Sequence, residues 1–469
     1  DAPPAIDDDS LREYLAYRSV PWPHTLFAGV RKLPPGHRLR LAPGGEPEVE
    51  PWWRLPTAPA SAPDDPDAAV REVGAALRDA VASRLVADVP VGAFLSGGVD
   101  SSLIVALMRE LSGGAGVETF SAGFDDPRFD ELPFAREVSQ ALATRHHEVV
   151  IQPSDFQDLW HRLTWHRDAP ISEPADLAIF RLAHRARETV KVLLSGEGSD
   201  ELFAGYPKYG FATRAGLADW LPGSLREPLL RGVERMLPAA AARPRIMLRA
   251  MSARDEADRF QTWFAPFTRY EREALDPGRS ERAGHREIWR RARGDLVQRM
   301  LYVDCHTWLV DNLLERGDRM AMAASVESRP PFMDHRLVEL AFRLPSSLKL
   351  RGGVGKWVVK EVARQWLPAR IVDRRKVGFR VPLDLWFRSG LREMSHDLLL
   401  GRDAFVAGRF ERREIEALLD DHARGRRDEE IRIWTLLCLE VWHQVFFRGV
   451  GVPRADVADV RDAGVPRAG

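Results

Sequence analysis

Residues 94–102 read FLSGGVDSS, between the apolar runs VPVGAFL (89–95) and LIVAL (103–107). The first run has strand character and SLIVALMREL (102–111) has helical spacing, so the stretch reads as strand, turn, helix. Two adjacent glycines let the turn reach positive φ and point successive amides into one concavity. The helix behind adds unpaired N–H groups and its positive dipole end, and Ser96, Ser101 and Ser102 add hydroxyls. Such a corner suits a polyanion, yet it lacks the lysine of a G-x-x-x-x-G-K-[ST] loop. Instead it holds Asp100. An acid beside phosphates makes sense when a magnesium ion lies between them. The bland alternative is a Gly-Gly turn with Asp100 capping the helix.

Working outward, VREVGAALRDAVASRL (70–85), LPFAREVSQAL (132–142) and LAIFRLAHRARE (177–188) have helical spacing. VETFSAGF (117–124), HHEVVI (146–151) and VKVLL (190–194) read as strands. The alternation from Val89 to Leu194 predicts an α/β fold, an open, mostly parallel sheet with helices on both faces and ligands at the carboxyl ends of its strands. After Ala204 the strand signals stop, and a largely helical C-terminal region is predicted to Phe447. Its segments 297–322 and 431–447 are apolar nearly all round, which implies burial.

A second corner has the same grammar. VLLSGEGSDELFAGY (192–206) is an apolar run ending in Ser-Gly, followed by Glu197, Asp200 and Glu201. In a parallel sheet both corners fall on one edge, where Asp100 and Asp200 would share the magnesium of one nucleotide. The alternative is a solvated acidic loop with Asp200 as a helix cap. His146–His147 looks like a metal pair, but no further His or Cys lies at zinc spacing, so a strand end is the better reading.

SGGVDSS resembles the pyrophosphate-binding loop of the ATP pyrophosphatase (PP-loop) family, which cleaves ATP between the α and β phosphates and forms adenylated intermediates. SGEGSDELFAGY narrows the resemblance to the asparagine synthetase branch, as do LLERGDRMAMAASVESRPPFMDHRLVELAFRLP (313–345) and RRKVGFRVP (374–382). The resemblance implies an adenine nucleotide alpha hydrolase-like fold that uses ATP and Mg²⁺. It implies adenylation of the side-chain carboxylate of aspartate, then amination to asparagine with release of AMP and pyrophosphate. By the same resemblance the backbone around Leu95 and Ala122 would hold adenine, and Ser195 and Gly196 would contact the nucleotide. Ser96, Gly97, Gly98, Ser101 and Ser102 would cradle pyrophosphate, and Asp100 and Asp200 would bind the metal. Lys376 would neutralise charge as pyrophosphate departs, and Glu197 would assist the intermediate or take a proton from the amine. Arg319 would act near the cleft, while Asp318, Glu327 and Lys356 match family positions with no fixed job. For Arg319 and its acidic neighbours, an internal salt-bridge network is an equal alternative.

The N-terminal YLAYRSVPWPHTLFAGVRKLPPGHRLRL resembles the end of that family's glutaminase domain. Glutamine-using members open with a cysteine nucleophile, whereas this sequence opens at Asp1 and its first cysteine is Cys305. The expected organisation is a glutaminase remnant over 1–55, a Pro/Ala/Asp-rich linker over 56–68, the synthetase over 69–450 and a disordered tail over 451–469. A trimmed chain, free ammonia or a partner glutaminase, and a relative that abandoned glutamine all remain open. The last group includes β-lactam synthetases and lasso-peptide cyclases, which act on other acids; HRDAPISEPADLAIF (166–180) is the expected acceptor side. A nucleotide-binding protein without catalysis is disfavoured by the retained acids and Lys376.

Lys+Arg 68 against Asp+Glu 69 leaves a net charge of -1, which disfavours a nucleic-acid partner. No run approaches a membrane span. Two cysteines in apolar helical patterns fit a reducing cytoplasm. The partners implied are aspartate or another carboxylate and ammonia, free or glutamine-derived; a homodimer is left open.

Overall fold

The computed structural model describes the chain except residues 1–3, 58–64, 115, 216–220, 238–240, 254, 264, 279–281, 283, 375–379 and 453–469. Most of the expected linker and the expected tail therefore lie outside the described residues, as does Lys376.

Five strands form one parallel sheet: β3 (Val91–Phe94), β4 (Glu118–Phe124), β5 (Arg145–Ile151), β6 (Val192–Leu194) and β7 (Glu327–Arg329), in the order β5-β4-β3-β6-β7. Ahead of them, β1 (His37–Arg40) and β2 (Glu48–Pro51) pair as an exposed antiparallel hairpin. The chain starts the sheet at β3, builds outward through β4 and β5, then returns to lay β6 on the other side of β3. The connection order reverses between β3 and β6, and a crevice opens at such a point in this kind of sheet. β3 leads into α3 (Val99–Leu111), and β6 leads into α7 (Ser199–Phe203).

Side chains alternate across the sheet as the strand period requires. Ala93, Val192 and Leu194 enter a core that also holds Val73 and Leu77 of α2 (Pro66–Arg84) and Leu103 and Leu107 of α3. Leu193, Phe120, Ala122 and Phe124 enter the opposite core, with Phe156 and Trp160 of α5 (Pro153–Arg167), Phe180 of α6 (Ala175–Ala186) and Trp434 and Trp442 of the C-terminal helix Glu430–Arg448. The N-terminal helix α1 (Asp8–Tyr17) belongs to this second core: Leu11, Tyr14 and Leu15 are buried in it, and the Tyr14 hydroxyl donates to the Thr435 carbonyl at 2.9 Å.

The expectation that strands end at Ala204 is corrected by β7 and by the short hairpin Leu350–Arg351/Val354–Gly355. β7 reads ESR: it is three residues long, carries no apolar side chain and pairs only with β6 at the sheet edge. Without alternation to bury a face, it has no strand signal of its own. No described helix is long and apolar enough to cross a membrane.

Candidate active site

The first corner leaves β3 through Leu95, whose amide donates to the Phe120 carbonyl at 2.9 Å and keeps the chain in the sheet for one more step. Gly97 then takes φ +69°, and an added Cβ there would lie 2.6 Å from the Phe134 carbonyl carbon. Only one of the two glycines uses the left-handed region: Gly98 is extended at φ -81° and is the residue that precedes α3. The serines knit the loop together. The Ser96 amide donates to Ser101 Oγ at 3.2 Å, and that hydroxyl donates to the Gly98 carbonyl at 3.3 Å. Ser102 is fully buried.

Asp100 does not cap its helix, so the bland reading of this corner falls. Its Oδ1 accepts from Ser199 Oγ of the second corner at 2.7 Å, across 99 residues of sequence. The second corner presses equally close in return: a Cβ on Gly196 would sit 3.1 Å from Asp100 Cβ and 3.2 Å from the Ser101 amide nitrogen. Lys356 Nζ donates to Asp100 Oδ2 at 2.5 Å and lies 2.8 Å from Asp200 Oδ1. Both acids therefore converge on one cation. Burial alone would depress the lysine, but the Asp100 and Asp200 carboxylates outweigh it and raise the ammonium above its ordinary range.

Glu197 lies on the same corner and accepts from Arg316 Nη2 at 3.0 Å. Behind Arg316 stands the buried pair of Arg167 and Asp176, with Nη1 to Oδ2 at 2.6 Å. Burial pushes the Asp176 carboxyl up to about 6, against the pull of Arg167 and Arg316. Both members of that pair lie in the 166–180 segment. Arg319, by contrast, pairs with Asp168 at 2.8 Å, and both side chains are exposed. Glu327 pairs with Arg329 on β7.

Sequence reading gave no role to three contributors. Arg316 stands one turn before Arg319 in the helix that follows a π-helical turn at Leu309–Leu314, and its partners Glu197 and Asp176 lie more than a hundred residues away. Lys356 carries no local signal, because its partners are 156 and 256 residues away. Arg374 donates to the Gly97 carbonyl at 3.4 Å and to Glu131, so the described start of the 374–382 segment passes over the first corner. The two histidines stay in β5: His146 contacts Thr119, and His147 contacts Glu118 and stacks on Phe120.

The donor set matches a metal-bridged polyphosphate. Two carboxylates already share one cation, and the Ser195 hydroxyl, buried beside them, has no hydrogen-bond partner among the described residues. Among those residues no three His, Cys, Asp or Glu side chains gather around a point. Magnesium is held in this way, by one or two carboxylates with phosphate oxygens and water completing the octahedron.

The family model described as asparagine synthase matches residues 72–444. An asparagine synthetase [glutamine-hydrolyzing] of Bacillus subtilis is 30% identical over 447 residues, covering 94% of this chain and 69% of that protein. A putative asparagine synthetase [glutamine-hydrolyzing] of Mycobacterium tuberculosis is 32% identical over 458 residues, covering 96% and 69%. The solved NMN synthetase of Francisella tularensis overlaps 30% of this chain and 58% of its own at a TM-score of 0.22 and 20% identity.

Proposed function

The chain belongs to the asparagine synthase family, and from that premise we propose that it adenylates the side-chain carboxylate of aspartate with ATP and then aminates it to asparagine, releasing AMP and pyrophosphate. At the coarser level it is an ATP-dependent, amide-forming synthetase, a ligase that makes a carbon–nitrogen bond. The observation that carries the proposal is the convergence of Asp100 and Asp200, from two corners half a domain apart in sequence, on one cation.

In this reading the adenine contacts are backbone ones: Leu95 and Ala122 hold the base, while Ser195 and Gly196 hold the nucleotide at the switch between β3 and β6. The loop from Ser96 to Ser102 receives the phosphates with its amides and hydroxyls. Asp100 and Asp200 would hold magnesium, which would supply positive charge where negative charge builds on the leaving pyrophosphate. Preorganised donors aimed there lower the barrier without rearranging, and Lys376 adds a further cation. Glu197, oriented by Arg316, accepts a proton as the amine attacks. The amine is ammonia, free or derived from glutamine.

A second reading, amide formation on another acid as in β-lactam synthetases or lasso-peptide cyclases, is favoured by one feature. A cavity of about 280 Å³ opens beside the second corner, walled by Tyr206, Lys208, Phe211, Trp263 and Trp308. The Tyr206 hydroxyl donates to Glu201 Oε1 at 2.5 Å, so this aromatic wall abuts the acidic turn. Aspartate has no apolar body to fill such a space. Substrate-dependent exchange of labelled pyrophosphate into ATP separates the two: exchange with aspartate supports the first reading. Silence with aspartate but exchange with an apolar acid supports the second, and ATP binding without exchange by any acid defeats both.

A further inference from the structure

Lys356 occupies the place that a metal would take between two acids, and its surroundings hold it there. Its side chain is 4% exposed, against 19% for Asp100 and 16% for Asp200, so the ammonium lies beneath the carboxylates. Its amide donates to the Phe203 carbonyl at 2.8 Å, which ties the lysine backbone to α7 of the second corner. Gly205 leaves room for it: a Cβ there would overlap both Asp200 Oδ1 and Lys356 Cε. The residue itself takes a left-handed conformation, φ 57°, at the start of the helix Trp357–Ala363, a strained geometry for a side-chain-bearing residue.

Charge counting gives this placement a consequence. A bare pair of carboxylates carries two negative charges; with the ammonium between them the triad carries one. A free divalent cation then meets half the attraction and a positive charge within a few ångströms. A polyphosphate supplies the missing negative charge. We propose that Lys356 is a positioning residue and internal counter-ion: it sets the spacing of Asp100 and Asp200 before nucleotide arrives and makes metal uptake conditional on a bound polyphosphate. This rests on the reading of Asp100 and Asp200 as metal ligands.

The test uses the full chain, Mn²⁺ as probe and electron paramagnetic resonance to count free metal, with and without inorganic pyrophosphate. Wild type is expected to bind Mn²⁺ at least tenfold more tightly with pyrophosphate than without. Lys356→Met is expected to bind Mn²⁺ alone at least tenfold more tightly than wild type, and Lys356→Met/Asp200→Asn to lose that gain. Lys356→Arg is expected to restore the weak affinity. A variant that only loosened the fold would weaken metal binding instead. Tight pyrophosphate-independent binding by wild type, abolished by Asp100→Asn, overturns the proposal, as does a Lys356→Met variant no tighter than wild type. The wild-type measurement decides even where the variants fail to fold. If wild type takes up no Mn²⁺ with or without pyrophosphate, the metal reading itself fails and takes the proposal with it.

Discussion

Two lysines seven residues apart in sequence leave water together and meet opposite fates. Lys356 ends between Asp100 and Asp200 at the crevice, and its ammonium is raised above the ordinary lysine range. Lys349, fully buried at the far end of the hairpin that leads to Lys356, donates to the Gln298 side-chain oxygen at 3.1 Å and lies 5.1 Å from the Phe342 ring centre. Burial pulls it down to about 7, against weak opposition from Cys305 and Asp295. An ammonium leaves water cheaply only when carboxylates replace the solvent; an amide does not suffice, and the proton is shed instead. The molecule thus keeps a fixed charge at the crevice and, near pH 7, a lysine in its core that has lost its charge about half the time.

The comparison breaks hardest at the acids. Asp200→Asn removes one partner of Lys356 and half of the proposed metal site. Pyrophosphate exchange is expected to fall by roughly 10³-fold or more, with far-UV circular dichroism unchanged, because a site of this kind works chiefly by placing positive charge at the leaving group. Loss of less than tenfold would detach Asp200 from the chemistry. Arg316→Met carries the comparison to a buried cation whose acids are Glu197 and Asp176. It leaves both carboxylates without that partner. Exchange is expected to fall by about 10²-fold, and the melting temperature to drop as well, since stripping one member of a buried pair costs about 3–5 kcal/mol. An unchanged melting temperature would show that water reaches this network.

How much of this was legible follows the same physics. β3 and β6 announce themselves because short apolar runs stop at Ser-Gly, and their adjacency follows from the rules of parallel sheets. The meeting of Asp100 and Asp200 was therefore within reach of sequence. Lys356 showed only as a match to a family position; its place between the two acids did not, because nothing within its own turn marks a left-handed lysine whose partners come from two other elements. Arg319 drew attention over Arg316 through its match to a family position, while the partners that bury Arg316, Glu197 and Asp176, come from distant elements and leave no mark in its own helix Glu315–Met322. β7 stayed hidden because an edge strand without apolar residues has no pattern to read. Local chemistry showed in the sequence, and charge pairs closed over long range did not.

Lys349 sharpens the comparison through pH. Its folded value, about 7, lies below the 10.5 of an ordinary lysine. Between those values the unfolded chain binds the extra proton, so stability rises with pH from about 7 to 10.5, and below 7 the full cost of burial is felt. Lys349→Met removes that cost. It is expected to be more stable than wild type by about 1–3 kcal/mol near pH 7, allowing for a Gln298 side chain that loses its partner, with the gap shrinking by up to about 1.4 kcal/mol per pH unit. Thermal melts at about pH 7 and about pH 9.5, on either side of most of that titration, check this. A gap independent of pH would mean that Lys349 stays charged in the fold.

The smallest expected effect marks the limit of the comparison, where water has not been excluded at all. Asp168 and Arg319 form a 2.8 Å pair with both side chains exposed. Solvent already satisfies each charge, so the pair gains little over its separated members. Asp168 also takes a left-handed φ of 58° at the end of α5, a conformation asparagine tolerates as well as aspartate does. Asp168→Asn therefore removes the charge and leaves the backbone unstrained. Its melting temperature is expected to stay within about 1 °C of wild type, corresponding to less than roughly 0.5 kcal/mol. Raising the salt concentration should leave even that difference unchanged or smaller, since exposed charges are screened. A larger drop would mean that the pair closes a structure around the cavity between the N-terminal segment and the helix Glu315–Met322, which Asp168 and Arg319 both line. The contrast between exposed and buried charge would then have to be redrawn with Arg319 on the buried side.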